Sequence, residues 1–141
     1  MAAQAIALMA TGLFFGAALY ISLVEHPARL EAGLDVALRQ FPHSYRRAAR
    51  LQASAAIVGS LAAFVVWMLG ASSLWALSAL LLFSIVPITL LVIFPTNKRL
   101  HDPALQPTDP AAAQYLTTWG HLHWFRTSLS FIAFSLQIAA R

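Results

Sequence analysis

From Ala2 to Val24 the chain carries no Lys, Arg, Asp, Glu or His, and a second such stretch runs from Leu51 to Asn97. Apolar, uncharged runs of 19 or more residues match the ~20 residues with which a helix crosses hydrocarbon. Lipid admits only helices or closed barrels, because every backbone N–H and C=O must find its partner internally. Over the 141 residues, 60% are hydrophobic and 10% charged, more apolar side chain than a soluble domain of this size could bury. The chain therefore reads as an all-α integral membrane four-helix bundle. Without cysteine, it has no disulfide, thiol relay or thiolate metal site. The net charge of +4 would suggest nucleic acid only if the basic residues formed a solvated patch. They sit instead beside apolar spans, so the lipid bilayer with its anionic headgroups is the expected partner, and nucleic acid is not.

The spans are expected at about residues 2–24, 45–69, 74–94 and 116–140. The first lacks the basic head of a cleaved signal peptide and is too long for its apolar core, so it reads as a retained span. Gly12 and Gly16 give it a small-residue face that could bring two copies of the chain together as a homo-oligomer. It should end at Glu25-His26-Pro27, since Pro27 disfavours helix at the residue before it. Glu31–Gln40 reads as a short amphipathic interfacial helix between spans one and two. Leu30, Leu34, Leu38 and Phe41 line one side of it, and Glu31, Asp35 and Arg39 the other. Phe41–Tyr45 should break that helix, with Ser44 capping the next. Gly70–Ser73 reads as a tight turn, Pro87 as a kink within span three, and His101–Gln114 as a loop.

Ionisable groups are segregated. Eighteen of the nineteen Lys, Arg, Asp, Glu and His side chains fall in or beside loops 25–50 and 95–126, the exception being Arg141. Since these loops hold eight of the nine Lys and Arg, the positive-inside rule puts them in the cytoplasm. The expected location is the cell membrane, multi-pass, with both termini outside.

At about 100° per residue, Trp119, His123, Arg126, Ser130 and Gln137 share one face of the last span, while His121 points away. A polar stripe in so apolar a segment is expensive in lipid and points to a pocket. Glu25 and His123 offer general-base chemistry, and Arg126 a cation for an anionic oxygen. His26, Tyr45, Asn97 and Trp119 join them as substrate-binding candidates. If a metal is bound, His26, His123 and Glu25 are the candidate ligands, a donor set suited to Fe, Cu or Zn. No His-Glu-x-x-His or similar spacing marks such a site. His43 and His101 read as interfacial side chains.

The stretch Gly16 to Arg29 (GAALYISLVEHPAR), the segments Pro42–Arg47 (PHSYRR) and Phe94–Leu100 (FPTNKRL), and Trp119 with His123, Arg126 and Thr127 together resemble the anthrone oxygenase-like family of small four-span membrane proteins. The resemblance implies oxidation of an apolar aromatic or phenolic substrate, with O2 as co-substrate and no classical organic cofactor. It also implies a pocket at Glu25, His26, Tyr45, Asn97, His123 and Arg126. The competing readings are a non-catalytic small-ligand- or lipid-binding membrane subunit and a proton-coupled transporter. Transport needs an ionisable group near mid-membrane, and spans one to three have none.

Overall fold

The computed structural model describes residues 1–140; Arg141, which entered the charge count above, lies outside the described residues. The described chain is all helix. Helix α1 (Ala2–Tyr20) runs through a π-helical turn at Ile21–Glu25 into α2 (His26–Glu31). After Gly33, whose φ of 96° suits glycine, α3 spans Leu34–Met68. Helix α4 (Ser73–Ile88) likewise runs through a π turn at Thr89–Ile93 into α5 (Phe94–Leu100), and α6 spans Pro110–Ala139. The four long helices pack in the cyclic order α1, α3, α4, α6, each against two neighbours, with little contact across the diagonals.

Three helices are long and apolar enough to cross a membrane: Ala2–Glu31, Leu34–Met68 and Ser73–Leu100. The surface agrees with lipid as the surrounding medium. Leu61, Leu90 and Leu91 are exposed on the outside, while Thr11, Ser78, Ser130 and Gln137 are wholly buried, the reverse of a soluble protein. Helix α6, with 30 residues, is not among those three, and its inward face carries the polar stripe.

Several expected boundaries move. Span one does not end at Pro27. Proline offers no N–H to the carbonyl four residues back, and the π turn just before it absorbs the mismatch, His26 N–H reaching the Ile21 carbonyl. The same device, with Phe94 N–H on the Thr89 carbonyl, carries span three through Pro95 to Leu100. The interfacial helix expected over Glu31–Gln40 is not a separate element. Glu31 closes α2, and residues from Leu34 onward are the first turns of α3, which continues through Pro42. A proline inside a helix costs about 3 kcal/mol, and here Phe41 is fully buried beside it, with Leu34 and Leu38 packed in the same cluster. That packing outweighs the lost hydrogen bond. Ser44 is therefore no N-cap; its hydroxyl donates to the Phe41 carbonyl at 3.4 Å. The last helix starts at Pro110 rather than near Tyr115, because the Asp109 side chain accepts from Ala111 N–H at 2.8 Å and proline suits the first helical position.

Of the two glycines on the first span, Gly12 makes a close helix approach and Gly16 does not, and the tightest approach between long helices is at Gly59. A Cβ on Gly12 would stand 3.2 Å from the chain's own Phe134 ring, and one on Gly16 would meet nothing within 4 Å. At Gly59 it would lie 2.8 Å from Leu82 and 2.9 Å from the Thr11 hydroxyl. Glycine there lets α3 close on α1 and α4. Nearby, Gln137 Nε2 donates to Thr11 Oγ1 and Ser78 Oγ, both at 2.9 Å, tying α6 to α1 and α4.

Candidate functional site

Each π turn delivers a side chain to one end of the bundle. Two residues past Pro27 stands Arg29, and two residues past Pro95 stands Asn97; both are buried, 5% and 1% exposed. The Arg29 guanidinium donates to Glu25 Oε1 at 2.6 Å, to Ser44 Oγ at 2.8 Å and, through Nε, to Gln40 Oε1. It also lies over the rings of Phe41 and Trp119, 5.3 and 5.8 Å from their centroids. The Glu25 carboxylate is thus held by Arg29 and, at 3.3 Å, by Gln40 Nε2. The cation that Glu25 meets is Arg29, one helical turn on, and not Arg126.

Arg126, 6% exposed, donates from Nη2 to Gln52 Oε1 at 2.6 Å. It pairs with no carboxylate among the described residues, and its Nε has no partner. Its Cζ stands 5.7 Å from the Phe14 ring centroid. Two guanidiniums, of Arg29 and Arg126, and one carboxylate, of Glu25, therefore line the interior at this end of the bundle. A lone buried charge is costly, so the surplus positive charge is a standing affinity for an anion.

His123 is 2% exposed and lies 2.9 Å through Nδ1 from Ser22 Oγ. Ser22 Oγ is in turn 3.0 Å from Thr127 Oγ1, and the Thr127 hydroxyl donates to the His123 carbonyl at 3.0 Å. With the Thr127 hydroxyl donating to that carbonyl, Ser22 is free to give its own proton to Thr127. Ser22 then accepts from Nδ1–H. In that arrangement Nδ1 carries the ring proton and His123 Nε2 keeps a bare lone pair, as a general base needs.

Asn97 Nδ2 donates to Tyr45 Oη at 2.7 Å, and His101 packs edge-on to the Tyr45 ring at 5.2 Å. His101, expected to be merely interfacial, therefore braces a site residue. His26 packs against Trp119 at 5.0 Å and over Gly120, where a Cβ would stand 2.7 Å from its Nε2.

A cavity of about 20 Å³ is lined by Glu25, Tyr45, Trp119, His123 and Arg126 together with Arg29, Gln52 and Ser44. Five of the seven site residues expected from sequence share this wall. Asn97 stands behind Tyr45 and His26 behind Trp119. His121 is exposed, as its position on the helix requires. The metal set expected from sequence does not assemble: among the described residues no three His, Asp or Glu side chains are grouped to hold an ion. Glu25 is engaged by Arg29, His123 Nδ1 by Ser22, and His26 lies off the cavity.

The sequence reading missed Arg29, Gln52, Ser22 and Thr127 as working parts. Glu25 and Arg29 stand at i, i+4, a spacing that announces the pair. Gln52 stands at i, i+7 from Tyr45, on the same helical face as that candidate. Ser22, one hydroxyl in an apolar run, gave no signal.

Three donors on the cavity-lining residues lack a partner: Gln52 Nε2, Trp119 Nε1 and Arg126 Nε. A space that admits one water-sized atom, surrounded by spare donors and one uncompensated cation, suits a single anionic oxygen.

Among known proteins, a family model described as anthrone oxygenase matches residues 41–136. No curated protein and no solved structure matches.

Proposed function

The chain belongs to the anthrone oxygenase family, and from that premise we propose that it is a membrane-embedded oxidoreductase that oxidises an apolar phenolic or anthrone-like substrate with O2. The observation that carries this reading is the pairing of an unengaged His123 Nε2 with the cluster of unpartnered donors around Arg126. A hydroxyanthrone has an acidic CH₂. His123 takes a proton from it, and the resulting enolate oxygen is held by Arg126, Gln52 and Trp119. The electron-rich carbon reduces O2 and bonds to it, giving a peroxide anion that takes back the proton held by His123 and becomes a hydroperoxide. Loss of water then leaves the quinone carbonyl. One atom of O2 ends in the substrate and the other in water, so the four electrons lost by carbon are those gained by oxygen. The residues supply a base, a cation and exclusion of water, and none changes redox state.

In this reading α6 is a fourth span. Its charged mouth lies at the same membrane face as Glu25 and Asn97, and the first turns of α3 roof the cavity at headgroup level. Both termini face outward and the basic loops face the cytoplasm. Reporter fusions after residue 140 and in the 101–109 loop should report outside and inside respectively; the opposite result removes this topology. A second reading, a non-catalytic ligand-binding subunit, is favoured by one observation: the Glu25 carboxylate is already engaged by Arg29 and Gln40.

Oxygen uptake and quinone formation from a hydroxyanthrone decide between the two. Arg126→Ala should abolish turnover in a protein that still folds, while His121→Ala, on the opposite face, should retain wild-type turnover. Full activity in Arg126→Ala would refute the catalytic assignment.

A further inference from the structure

The inner cavity carries the guanidiniums of Arg29 and Arg126 on its wall against the single carboxylate of Glu25. Glu25 is paired with Arg29, so the charge left over is that of Arg126. Its Nη2 is on the Gln52 amide oxygen and its Nε is unpartnered. A guanidinium only donates, so Gln52 must turn its oxygen to Arg126, and its Nε2 is thereby fixed as a second spare donor. Trp119 Nε1, which only donates, is the third. Gln52 and Trp119 are 2% and 3% exposed, too deep for these donors to be met by bulk solvent.

Charge and size together narrow what fits. One uncompensated positive charge is neutralised by one monovalent anion. The volume of about 20 Å³ exceeds the roughly 10–15 Å³ that a single water needs. It therefore admits one atom somewhat larger than a water oxygen, and not the five heavy atoms of a phosphate or sulfate. The ion also has a way in. Glu25 and Arg29 line both this cavity and a groove of about 300 Å³ between α2 and the first turns of α3. With the Glu25 side chain 23% exposed, the approach runs from the charged end of the bundle, past a carboxylate that Arg29 has neutralised.

We infer that between turnovers this cavity binds one monatomic monovalent anion, a halide, on Arg126, Gln52 and Trp119, and that the ion must leave before a substrate oxygen enters. The anion site stands on its own geometry; the competition with substrate rests on the oxidase reading above. His123 Nε2, with its lone pair, offers the ion nothing, so the donor wall alone holds it.

Bromide is the probe, because a heavy halide quenches an indole that it touches. Sodium bromide is titrated into the protein in nanodiscs against sodium gluconate at constant ionic strength. The exposed Trp67 and Trp124 give a quenching that rises linearly with bromide, and a site at Trp119 adds a saturable part. Gln52→Glu keeps an oxygen for Arg126 Nη2, supplies the carboxylate that the guanidinium lacks, and removes one donor. It should keep the circular dichroism and unfolding midpoint of wild type and bind bromide about ten-fold more weakly or worse, the factor that one charge-assisted hydrogen bond represents. Trp67→Phe should lose only linear quenching. Chloride should displace bromide and sulfate should not. Absence of a saturable part in wild type, or equal affinity in Gln52→Glu, overturns the site. Displacement by sulfate overturns the monatomic class. In turnover, chloride should raise KM for a hydroxyanthrone several-fold with kcat unchanged, and an unchanged KM beside saturable binding overturns the competition. A wild type that binds bromide yet consumes no anthrone supports the anion site and removes the oxidase reading alone.

Discussion

Replacing Arg29 by leucine should be among the most damaging single changes in this protein, and the structure sets its size. Arg29 ties α2 to α3 through Ser44 at 2.8 Å and through Gln40, and it neutralises Glu25 at 2.6 Å. Its side chain is 3% exposed and that of Glu25 23%. Interhelical hydrogen bonds within membranes average about 0.6 kcal/mol, so the charge-assisted pair to Ser44 and Gln40 accounts for at least roughly 1 kcal/mol. The larger cost is the carboxylate left behind. Breaking a buried pair by removing one partner costs about 3–5 kcal/mol, and the residual exposure of Glu25 places this case near the lower end. Arg29→Leu should therefore lose about 3–4 kcal/mol. The double variant Glu25→Gln with Arg29→Leu removes the stranded charge as well and should recover about 2 kcal/mol of that loss. Arg29→Lys keeps the charge but not the planar fork that reaches three acceptors, and it should fall between wild type and Arg29→Leu. Reversible unfolding in mixed micelles of rising SDS fraction, followed by circular dichroism, gives all four values. If the double variant is no more stable than Arg29→Leu, the stranded-charge argument fails. If Arg29→Leu costs under about 0.5 kcal/mol, the pair is not structural at all.

If Thr127 holds His123 through Ser22 with Nδ1 protonated, Thr127→Val should lower kcat about five-fold, the equivalent of one net hydrogen bond of about 1 kcal/mol. Thr127→Ser should restore the rate, and ¹⁵N spectra of labelled histidine should show Nε2–H gaining in the valine variant; an unchanged tautomer would refute the relay. Gly59→Ala sets a methyl 2.8 Å from Leu82 and 2.9 Å from the Thr11 hydroxyl and should destabilise by about 1–3 kcal/mol. Gly16→Ala, with nothing within 4 Å, should leave the unfolding midpoint where it is, and equal losses at both glycines would show that close helix approach is not what Gly59 provides.

The sequence by itself determined the class, because uncharged runs such as Ala2–Val24 leave only a helical membrane protein as a physical solution. It determined the inward face of α6, since a period of 3.6 puts Trp119, His123, Arg126, Ser130 and Gln137 on one side, and all five are buried. It also gathered the ionisable groups at one end, the condition for a site there. What it left undecided depends on contacts far apart in the chain. Pro27, Pro42 and Pro95 read locally as stops, yet π turns and the burial of Phe41 carry helix through all three. Local propensity is worth a few kcal/mol at each position, and packing across the bundle exceeds it. The partners of the remaining polar groups were out of reach. Glu25 and Arg29 carry their pairing in the i, i+4 spacing, but only the packed bundle puts Gln52 on Arg126 and Ser22 on His123.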